Sequence, residues 1–179
     1  MVWNRQKEGI VHALDIQRSQ WNDKEATSFT INMGVCVRDA QFLATGKVIP
    51  SVVTGKYCYP HLRVGDVLGR GGLRHDVWWT LKTDDDVPLV GNEVRCVLQD
   101  KCIPFLDTLD SIGAVAALAE DPVFRRFPAE RLSYATLRYV AGEHEEARSI
   151  LIAMMADAKL TFWHGRVCEV TQRLGAWQG

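Results

Sequence analysis

The chain has 179 residues, 47% of them apolar, and its 21 basic residues nearly balance its 22 acidic residues. A chain of this size can bury a core of its own and is typical of one domain. The net charge of −1 disfavours a nucleic-acid binder, since such proteins usually carry a strongly basic domain. No apolar run reaches the roughly 18 residues that cross a bilayer, and the N-terminus lacks a signal peptide's apolar segment. We therefore expect a cytoplasmic protein without a membrane span.

The first part of the chain, residues 1–86, has the pattern of β-strands. Residues 10–17 and 27–37 alternate between two faces, which is the period of two that indicates a strand. A short polar link joins these two segments, so we expect an antiparallel hairpin. Residues 2–6 and the aromatic run 77–82 supply two further strand candidates. The sequence therefore predicts an antiparallel sheet of about four strands.

The segment between residues 38 and 76 does not follow this alternation. Six glycines and two prolines interrupt it. We predict a loop-rich segment with a short strand at 47–53. Long irregular segments in compact domains are often functional or mobile.

The remainder, residues 87–179, has helical periodicity. Pro104 lies within an apolar helical pattern, which predicts two helices or a kink there. Ser111 can cap the next helix, and residues 132–158 resemble a helical hairpin. We therefore predict one α+β domain over residues 1–179, with the N-terminal antiparallel sheet followed by a C-terminal set of helices.

Cysteine and histidine spacing gives no chemical signature. The five cysteines include no C-x-x-C pair, and Cys36, Cys58, Cys96 and Cys102 have apolar neighbours, which predicts buried free thiols. The other histidines do not stand at metal-ligand spacing from the His75–Asp76 pair. We therefore predict no metal, no cofactor and no catalytic residue.

The stretch RHDVWW, residues 74–79, is the best candidate for a binding surface. Trp78 and Trp79 are adjacent, so in a strand they point to opposite faces. One can enter the core while the other lies outside, beside Arg74, His75 and Asp76. An exposed tryptophan flanked by charges is typical of an interaction surface. Both tryptophans lying under helices or loops is the alternative interpretation.

Four stretches stand in a distinctive order: IQRSQWNDKEATSFTINMGV, HLRVG, DVWW and CIPFLD. This order, over about residues 2–115, resembles the bacterial family called domain of unknown function 4304. The positions that carry the resemblance are Gln17, Ser19, Phe29, Asn32, Gly34, Arg63, Asp76, Trp78, Trp79, Pro104 and Phe105. The resemblance implies an α+β fold and no reaction. Members usually carry a helix before the first strand, and this chain starts at that strand, which could leave a sheet face for a partner or a second copy to cover.

The shared positions also suggest local roles. Asn32 and Gly34 are expected at the end of a strand, where they could fix a bend or bulge. Arg63 is expected to pair with Asp76 and to hold the long loop against the strand that carries the tryptophans. In this interpretation Asp76 is a clamp, and one tryptophan remains for recognition.

Three functional hypotheses follow. The first is a non-enzymatic protein-binding module, of immunity-protein or adaptor type, that binds a protein partner or forms a homodimer. The second is a small hydrolase-like enzyme that uses Arg63, Arg74, His75 and Asp76 around a pocket in the 55–76 loop. The third is a nucleic-acid binder, which the balanced charge favours least.

Overall fold

A computed structural model describes residues 2–69 and 76–177 of the chain. The strands are β1 Val2–Lys7, β2 Ile10–Arg18, β3 Thr27–Val37, β4 His61–Arg63 and β5 Trp79–Leu81. The helices are α1 Arg38–Thr45, α2 Val64–Val67, α3 Asp86–Val97, α4 Ile103–Asp107, α5 Ile112–Ala119, α6 Pro128–Val140, α7 His144–Ala156 and α8 His164–Ala176. Strands precede the main helices, so the fold is α+β, as predicted.

The three long strands form an antiparallel meander in the order β1, β2, β3. The turn between β1 and β2 consists of Glu8 and Gly9, both with positive φ (43° and 81°). Two consecutive residues with positive φ suit the twist of a two-residue hairpin. The alternation in the sequence matches the sheet's two faces, so the strand predictions for residues 2–6, 10–17 and 27–37 are confirmed.

The outer edge of β3 pairs with two short strands. β4 lies opposite Asn32–Gly34, and β5 lies opposite Thr27–Phe29. Both strands have only three residues, and the predicted strand at 77–82 is confirmed in its central part. The predicted strand at 47–53 is wrong, because those residues form turns and coil. The segment was also predicted to be loop-rich, and it contains α1, β4 and α2.

Gly34 lies in the middle of a strand and does not mark a bend. A Cβ atom on Gly34 would stand 2.6 Å from Cys58 Cβ and 2.7 Å from the Pro60 carbonyl oxygen. The residue is therefore required for close approach of the chain around Pro60. Asn32 lies two residues earlier in the same regular strand. The predicted bend or bulge at these two residues is wrong.

One face of the sheet packs against the helices. Its core includes Leu14, Met33 and Trp79 from the sheet, and Leu106 and Val115 from the helices. Before α4 the helix widens into a π-helical turn at Leu98–Cys102. This turn ends two residues before Pro104, which cannot donate a backbone hydrogen bond. The predicted interruption near Pro104 is thus confirmed.

The C-terminal helices form a second core, in which α6 and α7 pack as the predicted helical hairpin together with α8. Ser111 caps α5, its Oγ accepting a hydrogen bond from the Ala114 N–H at 3.2 Å. Cys36, Cys58 and Cys102 are buried free thiols, as predicted. Cys96 is exposed, and the prediction for it is wrong, because it lies on the outer side of α3.

Within the described residues, no single helix is long and apolar enough to cross a membrane. The helical segments Asp86–Asp107 and Ile112–Ala119 are long and apolar enough only when taken together, and the chain bends by 105° between them.

Candidate functional site

The second face of the sheet is apolar at one end and polar at the other. At the apolar end, Val11, Ala13 and Cys36 pack beneath Ile49 and Val53. Further along the same face the side chains are hydrophilic, since side chains at alternate positions share a face. We call this part the polar face: Asp15, Gln17, Thr30, Asn32 and Arg63, with Asp76 and Trp78 beside Arg63.

Asn32 is the centre of the polar face and is 8% exposed. The strand register places it opposite both Asp15 and Arg63. Its Nδ2 donates hydrogen bonds to Asp15 Oδ1 at 3.0 Å and to Gln17 Oε1 at 3.1 Å. The Asp15 carboxylate fixes the orientation of the amide, because a carboxylate oxygen can only accept.

Asp15 also attaches the 54–58 loop to the sheet. Its second carboxylate oxygen, Oδ2, accepts a hydrogen bond from the Gly55 N–H at 2.5 Å. A Cβ on Gly55 would lie 2.8 Å from His61 Nε2 and 3.1 Å from Asp15 Oδ2, so this loop approaches the sheet closely. Asp15 therefore couples the polar face to the neighbouring loop.

Arg63 and Asp76 form the ion pair that the sequence predicts. The distance from Arg63 Nη1 to Asp76 Oδ2 is 2.9 Å. The guanidinium also lies over the indole of Trp78, with Cζ 5.9 Å from the ring centroid. Arg63 therefore holds both ends of the segment Asp76–Trp78 against the sheet.

The two adjacent tryptophans lie on opposite faces, as expected for extended backbone. Trp79 is 4% exposed and stacks on Phe29 with ring centroids 5.7 Å apart. Trp78 is 37% exposed. Trp79 therefore stabilises the core, whereas Trp78 remains partly exposed to solvent.

Two buried oxygen atoms on the polar face form no hydrogen bond with the residues that the structure describes. Thr30 Oγ1 and Asn32 Oδ1 have no partner among the described residues. Most buried polar groups in native proteins are satisfied, so each exception calls for an explanation such as strain or an additional bound partner.

The structure brings together three of the six candidate residues: Arg63, Asp76 and Trp78. Trp79 lies on the core side, and Arg74 and His75 fall outside the described residues. Sequence reasoning missed Asp15 and Thr30. Asp15 was detectable, since its position in the alternation places a carboxylate on the same face as buried Val11 and Ala13.

A cavity of about 360 Å³ lies elsewhere in the molecule. Lys56, Cys58, Tyr59 and His61 from the 55–76 loop contribute to its wall, but Arg63 and Asp76 do not. The predicted enzyme pocket around Arg63 and Asp76 thus differs in composition from the cavity found.

The described residues form no cluster of metal-binding side chains, and the three buried thiols are not activated. No group of three or more His, Cys, Asp or Glu side chains in residues 2–69 and 76–177 could hold a metal ion. Burial raises the pKa of Cys36 and of Cys102 to about 11 each. Burial also raises the pKa of Cys58, so all three remain protonated thiols near neutral pH, unlike activated nucleophiles.

Comparison with known families identifies the family to which the chain belongs. The family model described as Domain of unknown function (DUF4304) matches residues 1–108. The match covers more than half of the chain, and the protein therefore belongs to this family. The matched part contains the sheet, α1 to α4 and the polar face, while α5 to α8 follow it. No curated protein and no solved structure shows significant similarity to the chain.

Proposed function

We propose that the protein is a non-enzymatic protein-binding module, of the bacterial immunity-protein or adaptor type, acting in the cytoplasm. The polar face binds its partner. The observation that carries this proposal is Trp78, which is 37% exposed and lies beside Arg63. Tryptophan and arginine are the residue types most enriched among those that dominate binding energy at protein interfaces.

The arrangement of Arg63 favours recognition because it is already ordered. Its ion pair with Asp76 restricts the guanidinium, and its contact with Trp78 restricts the indole. Side chains held in place before binding lose less conformational entropy when a partner docks. A second protein that buries Trp78 therefore gains apolar contact at a reduced entropic cost.

The unpartnered oxygen atoms below this surface support the same conclusion. Thr30 Oγ1 and Asn32 Oδ1 are acceptors without donors among the described residues. A partner that displaces the exposed Gln17 side chain could supply hydrogen bonds to them. Donors from a protein partner would relieve a desolvation cost of about 1–3 kcal/mol for each group.

The free thiols support the compartment that we propose. All five cysteines are unpaired, and Cys96 and Cys168 are exposed. Free thiols are typical of the reducing cytosol, whereas exported proteins of this size often carry disulfides.

The test is affinity capture from a lysate of the source organism, with the wild type, Trp78→Ala and Trp21→Ala as baits. Trp21 is a matched control, because it is 81% exposed in the β2–β3 loop and outside the polar face. We expect a stoichiometric protein partner whose affinity falls at least about tenfold with Trp78→Ala, which corresponds to 1.4 kcal/mol. Trp21→Ala should bind within about twofold of the wild type.

Light scattering on the purified protein distinguishes the homodimer. A dimer that Trp78→Ala dissociates would make the partner a second copy of the chain. The proposal would be overturned if Trp78→Ala and Trp21→Ala weakened partner binding equally, or if no folded bait captured a partner.

A further inference from the structure

The 360 Å³ cavity lies where the sheet region meets the C-terminal helices. On one side are α1, Lys56 and the start of β4 at His61, and on the other are the start of α6, Trp163 and Arg166. Its volume falls within the range of about 300–1,000 Å³ that is common for small-molecule sites. The cavity is separate from the polar face, since none of the polar-face residues lines it.

The walls of the cavity combine apolar surface with a few polar groups. Ala44, Phe124 and Leu132 contribute apolar surface, and Trp163 adds a partly exposed indole. Gln41 and Ser133 contribute polar groups. A mostly apolar wall with a few placed polar groups is the usual composition of a small-ligand site.

The charged groups in the wall favour an anion. Lys56 and Arg166 are the cationic residues in the described wall of the cavity, and Glu130 is the carboxylate there. Glu130 Oε2 accepts backbone hydrogen bonds from Arg126 and Phe127 at 2.9 and 3.1 Å, so this carboxylate caps α6. A carboxylate that is engaged by backbone donors attracts a ligand cation less strongly.

Arg166 is partly compensated by the protein. It pairs with Glu169 at 2.8 Å and donates to the Thr45 carbonyl oxygen at 3.0 Å. Together with Arg173, which donates to the Leu43 carbonyl oxygen at 2.7 Å, it covers the negative carbonyl end of α1. The end of α1 therefore does not repel an anion in the cavity.

Lys56 is the second cation in the cavity wall, and its ammonium has no counterion among the described residues. Its ammonium lies 4.9 Å from the Tyr57 ring centroid, and it forms no ion pair with any residue in the described ranges. Lys56 is an exposed residue of the cavity wall, and its ammonium offers three donors to an anion. A ligand could enter with its apolar part inward and its charge toward Lys56.

We propose that this cavity binds a small organic anion: an apolar, ring-sized body that contacts Trp163, with a carboxylate or phosphate group that pairs with Lys56 and Arg166. The site goes beyond the protein-binding function and does not depend on it. One wall of the cavity comes from the family-matched region and the other from the helices after it, so residues of both regions contact the ligand.

Titration of the ¹⁵N-labelled protein with phenyl phosphate, benzoate, inorganic phosphate and benzylamine tests the proposal. We expect saturable amide shifts at residues 56–61 and 129–133 with phenyl phosphate or benzoate. Inorganic phosphate should bind at least about tenfold more weakly because it lacks the apolar body. Benzylamine has the same ring with the opposite charge and should cause no saturable shift in these residues.

Two variants locate the site. Lys56→Gln should weaken phenyl phosphate binding about five- to tenfold, as expected for loss of one charge-assisted contact. Lys47→Gln is the matched control, because Lys47 is an exposed lysine that does not line the cavity, and it should leave the affinity unchanged. Trp78→Ala should also leave it unchanged, which separates this site from the polar face.

Three results would overturn the proposal. The first is no saturable shift at these amides with any anion at about 10 mM, a concentration at which even a weak site of millimolar affinity is mostly filled. The second is equal binding of benzylamine. The third is equal weakening by Lys56→Gln and Lys47→Gln, which would indicate general charge attraction.

Discussion

The sheet region and the C-terminal helices bury polar groups in different ways. In the sheet, His12 is 2% exposed, accepts from Arg5 Nη2 through Nδ1 at 2.8 Å, and contacts the Leu109 carbonyl oxygen through Nε2 at 2.9 Å. In the helices, Arg138 is 9% exposed and carries a full charge. The sheet therefore relies on a neutral hydrogen-bonded group, and the helices rely on a charge with several counterions.

This difference determines which changes should be costly in each region. Arg138 contacts Glu120, Glu143 and Glu146 at 3.1, 2.9 and 3.0 Å, and these carboxylates come from the C-terminal end of α5 and the N-terminal end of α7. Removal of a buried ion often costs more than its presence contributes, because its partners are left uncompensated. In the sheet region, close backbone approach at Gly34 imposes the stricter limit.

Arg138→Leu should give the largest loss of stability. The change leaves three carboxylates facing one another near Tyr134, and loss of one partner in a buried ion pair costs about 3–5 kcal/mol. The side chains of the three glutamates are 56%, 40% and 45% exposed, so they can regain water. We therefore expect the free energy of unfolding, measured in urea, to fall by the lower end of this range, about 3 kcal/mol.

The control for Arg138 is Arg148→Leu on α7. Arg148 is exposed, so this substitution should change the free energy of unfolding by less than about 0.5 kcal/mol. Equal effects of the two substitutions would mean that the Arg138 cluster does not hold the helices together.

Gly34→Ala should give the next largest loss, in the sheet region. The new Cβ would meet Cys58 Cβ at 2.6 Å and the Pro60 backbone oxygen at 2.7 Å, so the backbone must shift. Overpacking of this kind costs about 1–3 kcal/mol. Gly91→Ala in α3 meets no atom within 4 Å and should stabilise the protein, by up to about 1 kcal/mol. A Gly34→Ala variant as stable as the wild type would show that the chain around Pro60 yields easily.

The sequence predicted those elements whose pattern is local. The alternation in β2 and β3, the Ser111 cap and the break near Pro104 each depend on neighbouring residues, and all are confirmed. The errors lie where distant pairing decides. β4 has only three residues, and its pairing with β3 makes it a strand. Gly34 was misinterpreted because the atoms that it must avoid belong to Cys58 and Pro60, more than 20 residues away.

In the candidate site, too, the sequence predicted some contacts and missed those that depend on the packing of distant segments. Arg63 and Asp76, 13 residues apart, were predicted to pair through the family resemblance, and they do. The opposite directions of Trp78 and Trp79 followed from strand geometry. The cavity could not be predicted, because it joins residues such as Lys56 and Arg166, which meet only after the helices pack on the sheet.

His12 predicts a pH effect that belongs to the sheet region. Burial is the main cause that lowers the pKa of His12 below 6.5. Between that lowered pKa and 6.5 the unfolded chain binds the extra proton, so stability falls as the pH drops below 6.5. The contribution of one proton reaches about 1.4 kcal/mol per pH unit. His12→Gln lacks this proton and can still donate to the Leu109 carbonyl, so its stability should fall less steeply between pH 7.5 and 5.

The other four histidines are present in both proteins, so they cancel in the comparison of His12→Gln with the wild type. Urea unfolding at several pH values measures the two slopes. Parallel slopes would contradict a neutral, buried His12.

Asp76→Asn should reduce stability less than Arg138→Leu or Gly34→Ala, and it provides an exposed counterpart to the Arg138 cluster. The Arg63 and Asp76 side chains are 26% and 42% exposed, compared with 11% for the Arg138 side chain. Water screens the pair, and exposed ion pairs contribute about 0.2–1 kcal/mol. Lys7 and Asp110 form a pair at the same 2.9 Å distance, and their side chains are 53% and 54% exposed. Asp110→Asn should therefore perturb thermal stability less than Asp76→Asn.

Thermal melts at low and high salt measure the effects of both substitutions, and salt should reduce each of them. A loss for Asp76→Asn as large as that for Arg138→Leu would mean that the clamp holds far more of the structure than its own ion pair. No loss at either salt concentration would remove the clamp and leave Arg63 as a contact of Trp78 alone.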